Sequence, residues 1–252
     1  MTERTVAIIQ ARMGSTRLPE KVLMDIGPEP MLWHIYERAR HASLIDDVVV
    51  ATSEKPSDDE VKEFCEDRSI PCYRGSERDV LDRYYQTAKV YDANTVVRIT
   101  ADCPFLSPAV TDRVVRTFHK TNVDYVSNTI EYTHPDGLDV EVFPFSVLET
   151  TWKEAQRPDE REHVTVYIRE SGKFSAKNVE NVVDSSTYSF TEANTILRWT
   201  VDYPEDLEFV RTVYDHLTEH GHWIFDQISV LELLERNPDL REINEDRKND
   251  KD

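Results

Sequence analysis

Short apolar runs of strand length alternate with helix-spaced segments through the first 120 residues, and this rhythm narrows the fold more than any other feature. The runs are Val6-Ala7-Ile8-Ile9, Asp47 to Thr52, Pro71 to Arg74 and Thr95 to Thr100. After them come Pro30 to Ala39, Ser57 to Arg68, Asp79 to Tyr91 and Ser107 to Lys120, with apolar residues three and four apart. Their starts are marked as helix starts should be: a proline at Pro30, a capping box at Ser57-Asp58-Asp59-Glu60, and an N-cap and first residue at Ser107-Pro108. Buried strands joined by helical crossovers give an α/β fold whose mostly parallel sheet is covered on both faces.

Open sheets of this kind bind ligands at the carboxyl ends of their strands. There, the loop leaving the first run reads Ala11-Arg12-Met13-Gly14-Ser15-Thr16-Arg17-Leu18-Pro19-Glu20-Lys21. One glycine, two hydroxyls and the cations Arg12, Arg17 and Lys21 can wrap backbone N–H groups and positive charge around a polyphosphate such as a nucleoside triphosphate. An ordinary basic surface loop is the plainer alternative, but a cation cluster in a chain of net charge −19 asks for a reason. Two aspartates occupy matched positions. Asp102 closes the fourth run, and Asp202 closes a later one, Ile196 to Val201, just before Pro204. Mg²⁺ commonly takes one or two carboxylates from protein and its other ligands from water and phosphate, so this pair suffices for a metal. Taken singly, each aspartate could equally be a turn former or helix cap.

The same charge balance excludes a partner class: 49 Asp and Glu against 30 Lys and Arg repel nucleic acid. No run of about 18 apolar residues and no basic-then-apolar leader is present, so a cytoplasmic protein without a membrane partner is expected. Cys65, Cys72 and Cys103 are odd in number and lack C-x-x-C spacing, which points to reduced thiols. Cys103 reads as packing, because phosphoryl transfer needs no thiol nucleophile.

From about Tyr125 the rhythm breaks. Residues 127–183 read as an inserted arm with a half-exposed strand at Leu138 to Val142, helices at Phe145 to Ala155 and Glu160 to Glu170, and strand-like material around 174–183. The expected division is a nucleotide-binding half at 1–126, the arm at 127–183, a return to the main sheet with C-terminal helices at 184–238, and a charged tail at 239–252 whose end is disordered. Leu138, Val140, Val142, Phe143 and Phe145 in the arm call for a cover, which suggests a homodimer. Arg161-Glu162-His163 offers an acid or base, or merely a helix cap; His220-Gly221-His222 reads as a helix end.

Six ordered motifs carry a resemblance. They are the loop just described; Arg74-Gly75-Ser76 with Asp82-Arg83-Tyr84; Arg98-Ile99-Thr100-Ala101-Asp102-Cys103-Pro104; Asp136-Gly137-Leu138-Asp139-Val140-Glu141-Val142; Arg161-Glu162-His163-Val164-Thr165; and Val201-Asp202 with Pro204-Glu205-Asp206-Leu207. Together they resemble the cytidylyltransferase-like family of spore-coat polysaccharide biosynthesis, itself similar to the acylneuraminate and CMP-Kdo synthetases. The resemblance implies a Rossmann-like sheet of the nucleotide-diphospho-sugar transferase type. It implies CTP as donor, a sugar or sugar acid as acceptor, and Mg²⁺, with Mn²⁺ able to substitute. Arg12 and Lys21 would hold the triphosphate, helped by Ala11, Gly14, Ser15, Thr16, Arg17 and Thr52, while Asp102 and Asp202 would hold the metal. Arg74, Ser76 and Asp79 would lie near the base, and Asp139, Glu141, Glu162 and His163 would face the acceptor. The chain departs from the pattern at Glu20, where glycine is usual, and at Gly27-Pro28-Glu29-Pro30. Two other classes compete: a glycosyltransferase using a ready-made nucleotide sugar, for which Asp102-Cys103-Pro104 lacks the usual Asp-x-Asp, and a non-catalytic nucleotide- or sugar-binding protein.

Overall fold

β1 (Thr5–Gln10) is apolar on both sides because it lies in the middle of a sheet, with Ala7 and Ile9 in one hydrophobic cluster and Val6 and Ile8 in another. The computed structural model describes residues 3–191, 196–218 and 223–247. β2 (Asp25–Ile26) and β3 (Glu29–Pro30) form a small hairpin turning at Gly27, followed by α1 (Met31–Arg40). β4 (Asp47–Ser53), α2 (Asp59–Asp67), β5 (Cys72–Gly75), α3 (Val80–Val90), β6 (Thr95–Thr100) and α4 (Pro108–Lys120) then follow as the sequence pattern indicates, except that the expected capping box at Ser57 to Glu60 is not formed: a 3₁₀ turn, Pro56–Asp58, stands there, and Asp58 at the start of α2 makes no side-chain cap bond. β7 (Tyr125–Ser127), β8 (Glu141–Pro144) and β9 (Ala176–Asn178) complete a seven-stranded sheet of order β5-β4-β1-β6-β8-β7-β9. β8 alone runs antiparallel to its neighbours.

That order fixes where a ligand can sit. The chain proceeds from β1 outward through β4 to β5, then returns to place β6 on β1's other side. The loops leaving β1 and β6 therefore diverge and open a crevice between them, as the switch point of an open α/β sheet does. α1, α2 and α4, with α8 (Pro204–Thr218) and α9 (Gln227–Arg236), belong to the cluster on one face; α3 and α5 (Phe145–Glu154) belong to the other.

Three expectations are corrected. First, the sheet runs through the supposed arm, since β8 pairs with β6 (Val96 opposite Phe143, Val97 opposite Val142). Leu138, Val140, Val142 and Phe143 are covered by the chain itself, at 0 to 1% exposure, and the partly buried Phe145 stacks on Tyr85, so these residues do not call for a partner subunit. The alternation of 138–142 came from one apolar face plus a buried acid, Glu141, rather than from a half-wet strand. Second, the helix expected over Glu160 to Glu170 is two, α6 (Pro158–Glu162) and α7 (Val166–Glu170), broken where Val164 takes a left-handed φ of 49°. Third, 196–201 adds no strand to the sheet. Its one bridge is Arg198 to Asp136, with Asp136 N–H donating to the Leu197 carbonyl (2.8 Å) and Trp199 N–H to that of Asp136 (2.7 Å).

Gly137 explains why that segment can lie so close. Its φ is +107°, and a Cβ there would stand 2.7 Å from Thr200 N and from Trp199 C. A side chain at 137 would push away the segment that carries Asp202. The charged tail is also ordered through 247: Asn244 is buried and donates to the Arg198 carbonyl (3.3 Å) and to Asp206 (3.0 Å). His220, Gly221 and His222, and the tail beyond 247, lie outside the described residues.

Candidate active site

The loop after β1 is held from outside itself. Asp58, buried ahead of α2, accepts a 2.7 Å bond from Met13 N–H and one from the Ser53 hydroxyl. Ser15 N–H and Glu20 N–H both donate to the Met13 carbonyl (2.9 and 3.0 Å). Glu20 adopts a left-handed φ of 62°, which accounts for the glycine usual at this position in the related pattern. A turn of 3₁₀ helix, Lys21–Leu23, then points Lys21 back beneath the loop. Gln10, Arg12, Gly14, Ser15, Thr16, Arg17, Lys21, Asp102 and Asp202 are thereby brought around one cleft of about 380 Å³.

At its floor, Lys21 Nζ donates to Asp202 Oδ1 (2.9 Å), Asp102 Oδ2 (3.2 Å) and the Val201 carbonyl (2.7 Å). Burial alone would lower the Lys21 pKa, but Asp102 and Asp202 outweigh it and raise it. Burial would raise the Asp102 pKa, but Lys21 and hydrogen bonds from Thr100 and Cys103 hold it below the ordinary carboxylate value. Asp202 also meets Arg17 (3.1 Å) and Arg198 (2.7 Å), and Arg198 continues to Asp206 (3.2 Å), which accepts from Asp202 N–H (3.0 Å). The Cys103 thiol is pushed well above its ordinary pKa by burial and by Asp102, so it is no thiolate nucleophile.

Two carboxylates converging on one cation about 3 Å away suit a hard divalent ion in chemistry and direction. Among the described residues no three His, Cys, Asp or Glu side chains are grouped as metal ligands. Lys21 Nζ lies between the two aspartates, within 3.2 Å of each.

A second, smaller hollow of about 110 Å³ adjoins the cleft and shares Gln10 and Arg12 with it; Ala11, Val80, Arg83, Glu162 and His163 complete its lining. Arg12 and Glu162 face each other at 3.9 Å, both about half exposed.

Other expected site residues are placed elsewhere. Arg74 is spent on Asp59 (2.7 Å) and on the Ser53 and Lys55 carbonyls. Ser76 accepts from Asp79 N–H, and Asp79 caps α3 while bonding Arg161. Thr52 is fully buried in β4 and lines neither cavity. Glu141 is 4% exposed and bonded to Arg98, Tyr125 and Thr165, so it braces the core and faces no acceptor. Asp139 remains partly open, 3.5 Å from the Tyr132 hydroxyl, its pKa pushed up to about 8 by burial, Asp136 and Glu141. Sequence reasoning missed Asp58, Arg198, Asp206 and Asn244. Asp58 looked like a helix cap, and the other three act through partners that only folding supplies.

A cation-rich loop and paired carboxylates at the switch point of an α/β sheet are the arrangement of a nucleotidyltransferase-type protein. The chain belongs to the cytidylyltransferase family, whose model matches residues 6–234. It is 31% identical to the spore coat polysaccharide biosynthesis protein SpsF of Bacillus subtilis, over 92% of this chain and 94% of that one. It is 35% identical to a 3-deoxy-manno-octulosonate cytidylyltransferase of Chlamydia trachomatis, over 55% of each. A solved cytidylyltransferase structure from Leptospira borgpetersenii superposes with a TM-score of 0.84 at 30% identity, over 94% of this chain and 96% of that one. No helix among the described residues is long and apolar enough to cross a membrane.

Proposed function

We propose that this chain transfers CMP from CTP to a sugar or sugar acid, releasing pyrophosphate, for surface polysaccharide or glycan synthesis. The observation that carries this reading is the convergence of Arg12, Arg17 and Lys21 with Asp102 and Asp202 around one cleft. The resemblance to a sugar-acid cytidylyltransferase and to a polysaccharide-biosynthesis protein supports the acceptor class. An acceptor oxygen bonds to the α-phosphorus in line, the bond from that phosphorus to the α–β bridging oxygen breaks, and pyrophosphate leaves with the electron pair. Asp102 and Asp202 would hold Mg²⁺, or Mn²⁺ in its place; bound there, the ion offsets charge on the phosphate oxygens.

The rest falls to the chain's own groups. Arg12 and Arg17 orient the triphosphate and offset its charge as pyrophosphate departs. Lys21, bonded here to Asp102 and Asp202, would serve as a further phosphate contact. Asp139, which the family resemblance puts on the acceptor side, has its pKa raised to about 8 by burial, Asp136 and Glu141, so it would take up the acceptor's proton only above neutrality, once ionised. A screen of the four nucleoside triphosphates against sugar acids and sugar phosphates, read as pyrophosphate release, tests this. Release with CTP, one acceptor class and a divalent ion is expected; silence across the panel overturns the reading.

A further inference from the structure

Asp202 follows a segment that is not a strand of the sheet, so its place at the cleft depends on what holds the turn before α8. Asp206, 0% exposed in the first turn of that helix, holds it. Its Oδ2 accepts from Asp202 N–H (3.0 Å) and Tyr203 N–H (3.1 Å), and its Oδ1 from Arg198 Nε (3.2 Å) and Asn244 Nδ2 (3.0 Å). Arg198 in turn donates to Asp202 Oδ2 (2.7 Å). Asn244 reaches this network from the far end of the chain, and its amide nitrogen also donates to the Arg198 carbonyl (3.3 Å). Two acceptors face that nitrogen, so a donor is required there. Three residues on, Arg247 pairs with Glu205 (3.3 Å) and lies over the Tyr203 ring (4.2 Å), which Arg17 of the β1 loop also approaches (5.0 Å). Packing does not substitute for these bonds, because an open cavity of about 350 Å³ adjoins Arg198 and Trp199, with Phe209, Arg241 and Asn244 at its walls.

We propose that Asn244, aided by Arg247, is a positioning residue of the active site: through Asp206 it fixes the turn that presents the Asp202 carboxylate to a metal-bound phosphate. This rests on the nucleotidyltransferase reading above. Neither residue belongs to the six motifs, and neither lines the cleft. Removing the Asn244 amide leaves a fully buried carboxylate one donor short, on the side where the cavity gives the turn room to shift. A displacement of about 1 Å in a group that holds a reacting phosphate is enough to matter. Asn244→Asp goes further, since it sets an acceptor where two acceptors already point.

Calorimetric titration of the full chain with the Mn²⁺–tripolyphosphate complex tests this, for wild type, Asn244→Leu, Asn244→Asp and Arg247→Ala. Val147→Ala, in the cluster on the opposite face of the sheet, serves as the control for lost stability. Wild type should bind the complex. Asn244→Leu should bind it roughly 10-fold and Asn244→Asp roughly 100-fold more weakly, with a smaller loss in Arg247→Ala. Val147→Ala should melt lower with its affinity unchanged. Folded Asn244 variants that melt lower yet bind as tightly as wild type would overturn this inference and leave the proposed function intact, and so would an equal loss of affinity in Val147→Ala. No binding by wild type would instead count against the proposed function and against this inference with it. Should Asn244→Asp lose its far-UV circular dichroism, Asn244→Leu and Arg247→Ala decide by the same criterion.

Discussion

The cleft and the hollow beside it are prepared in opposite ways. Around the cleft the charges have internal partners: Lys21 with Asp102 and Asp202, and Asp202 in turn with Arg198, which also meets Asp206. Beside the hollow, Arg83 Nε and Gln10 Oε1 are buried with none among the described residues. A ligand entering the cleft must displace internal contacts. Buried ion pairs recover little net energy for what desolvation costs, so exchanging them for metal and phosphate is feasible without a large penalty. An orphaned polar atom carries the full cost of its burial instead.

The largest effect should come from removing the internal cation. Lys21→Ala removes Asp102's cation while Arg17 and Arg198 still hold Asp202, and should lower folding stability by about 2–3 kcal/mol, below the full cost of an unpaired buried charge. Mg²⁺ should then raise the melting temperature of the variant more than that of wild type; equal shifts would mean that Lys21 does not sit where the metal goes. Next, Asp102→Ala and Asp202→Ala should each cut turnover by at least about 100-fold while leaving the fold intact, as pyrophosphate release and circular dichroism would report. Wild-type turnover in a folded double variant would remove the metal assignment.

Arg12→Ala should weaken CTP, UTP and tripolyphosphate by a common factor of roughly 10 to 150, from one lost charge-assisted contact. A loss confined to CTP would take Arg12 away from the phosphates and blur the division. The acceptor side can be probed by pH. Because the Asp139 pKa is raised to about 8, its cost to the folded state is absent below the unfolded value near 4 and grows as pH rises to 8. Asp139→Asn should therefore melt higher than wild type at pH 8.5, with the gap closing towards pH 4; a pH-independent gap would show that Asp139 is not held protonated. The smallest effect concerns Glu20→Gly, which relieves a left-handed backbone and removes an acid beside the phosphates. Stability should rise by under about 1 kcal/mol, because glycine's freedom in the unfolded chain offsets the relief, and tripolyphosphate should bind slightly tighter.

Much of this was legible in the residues. The four runs and four helices of the first half stand where periodicity put them, since a strand buried on both faces has to be continuously apolar and a helix beside it has to be apolar on one side. The loop from Ala11 to Lys21 and its two distant aspartates do meet in one cleft. Legibility failed where a side chain's role depends on its neighbours across the fold. Glu141 and Arg74 looked like ligand contacts because of their motifs, yet Arg98 and Asp59 claim them. Arg83 stood in a family motif, but its missing partner, like that of Gln10, was invisible in sequence, because an unpaired atom is recognisable only once every neighbour is known.

The sequence by itself determined the strands and helices that alternate through the first 120 residues, their parallel pairing and the family of chemistry, because periodicity, capping and loop composition act over a few residues. Only the tertiary structure decided that β8 enters the sheet backwards and that the 196–201 segment lies against Gly137 outside it. It also decided that Lys21 lies between aspartates 81 and 181 residues away. Those outcomes depend on which strands become neighbours, and burial fixes that only when the whole sheet closes over both of its cores.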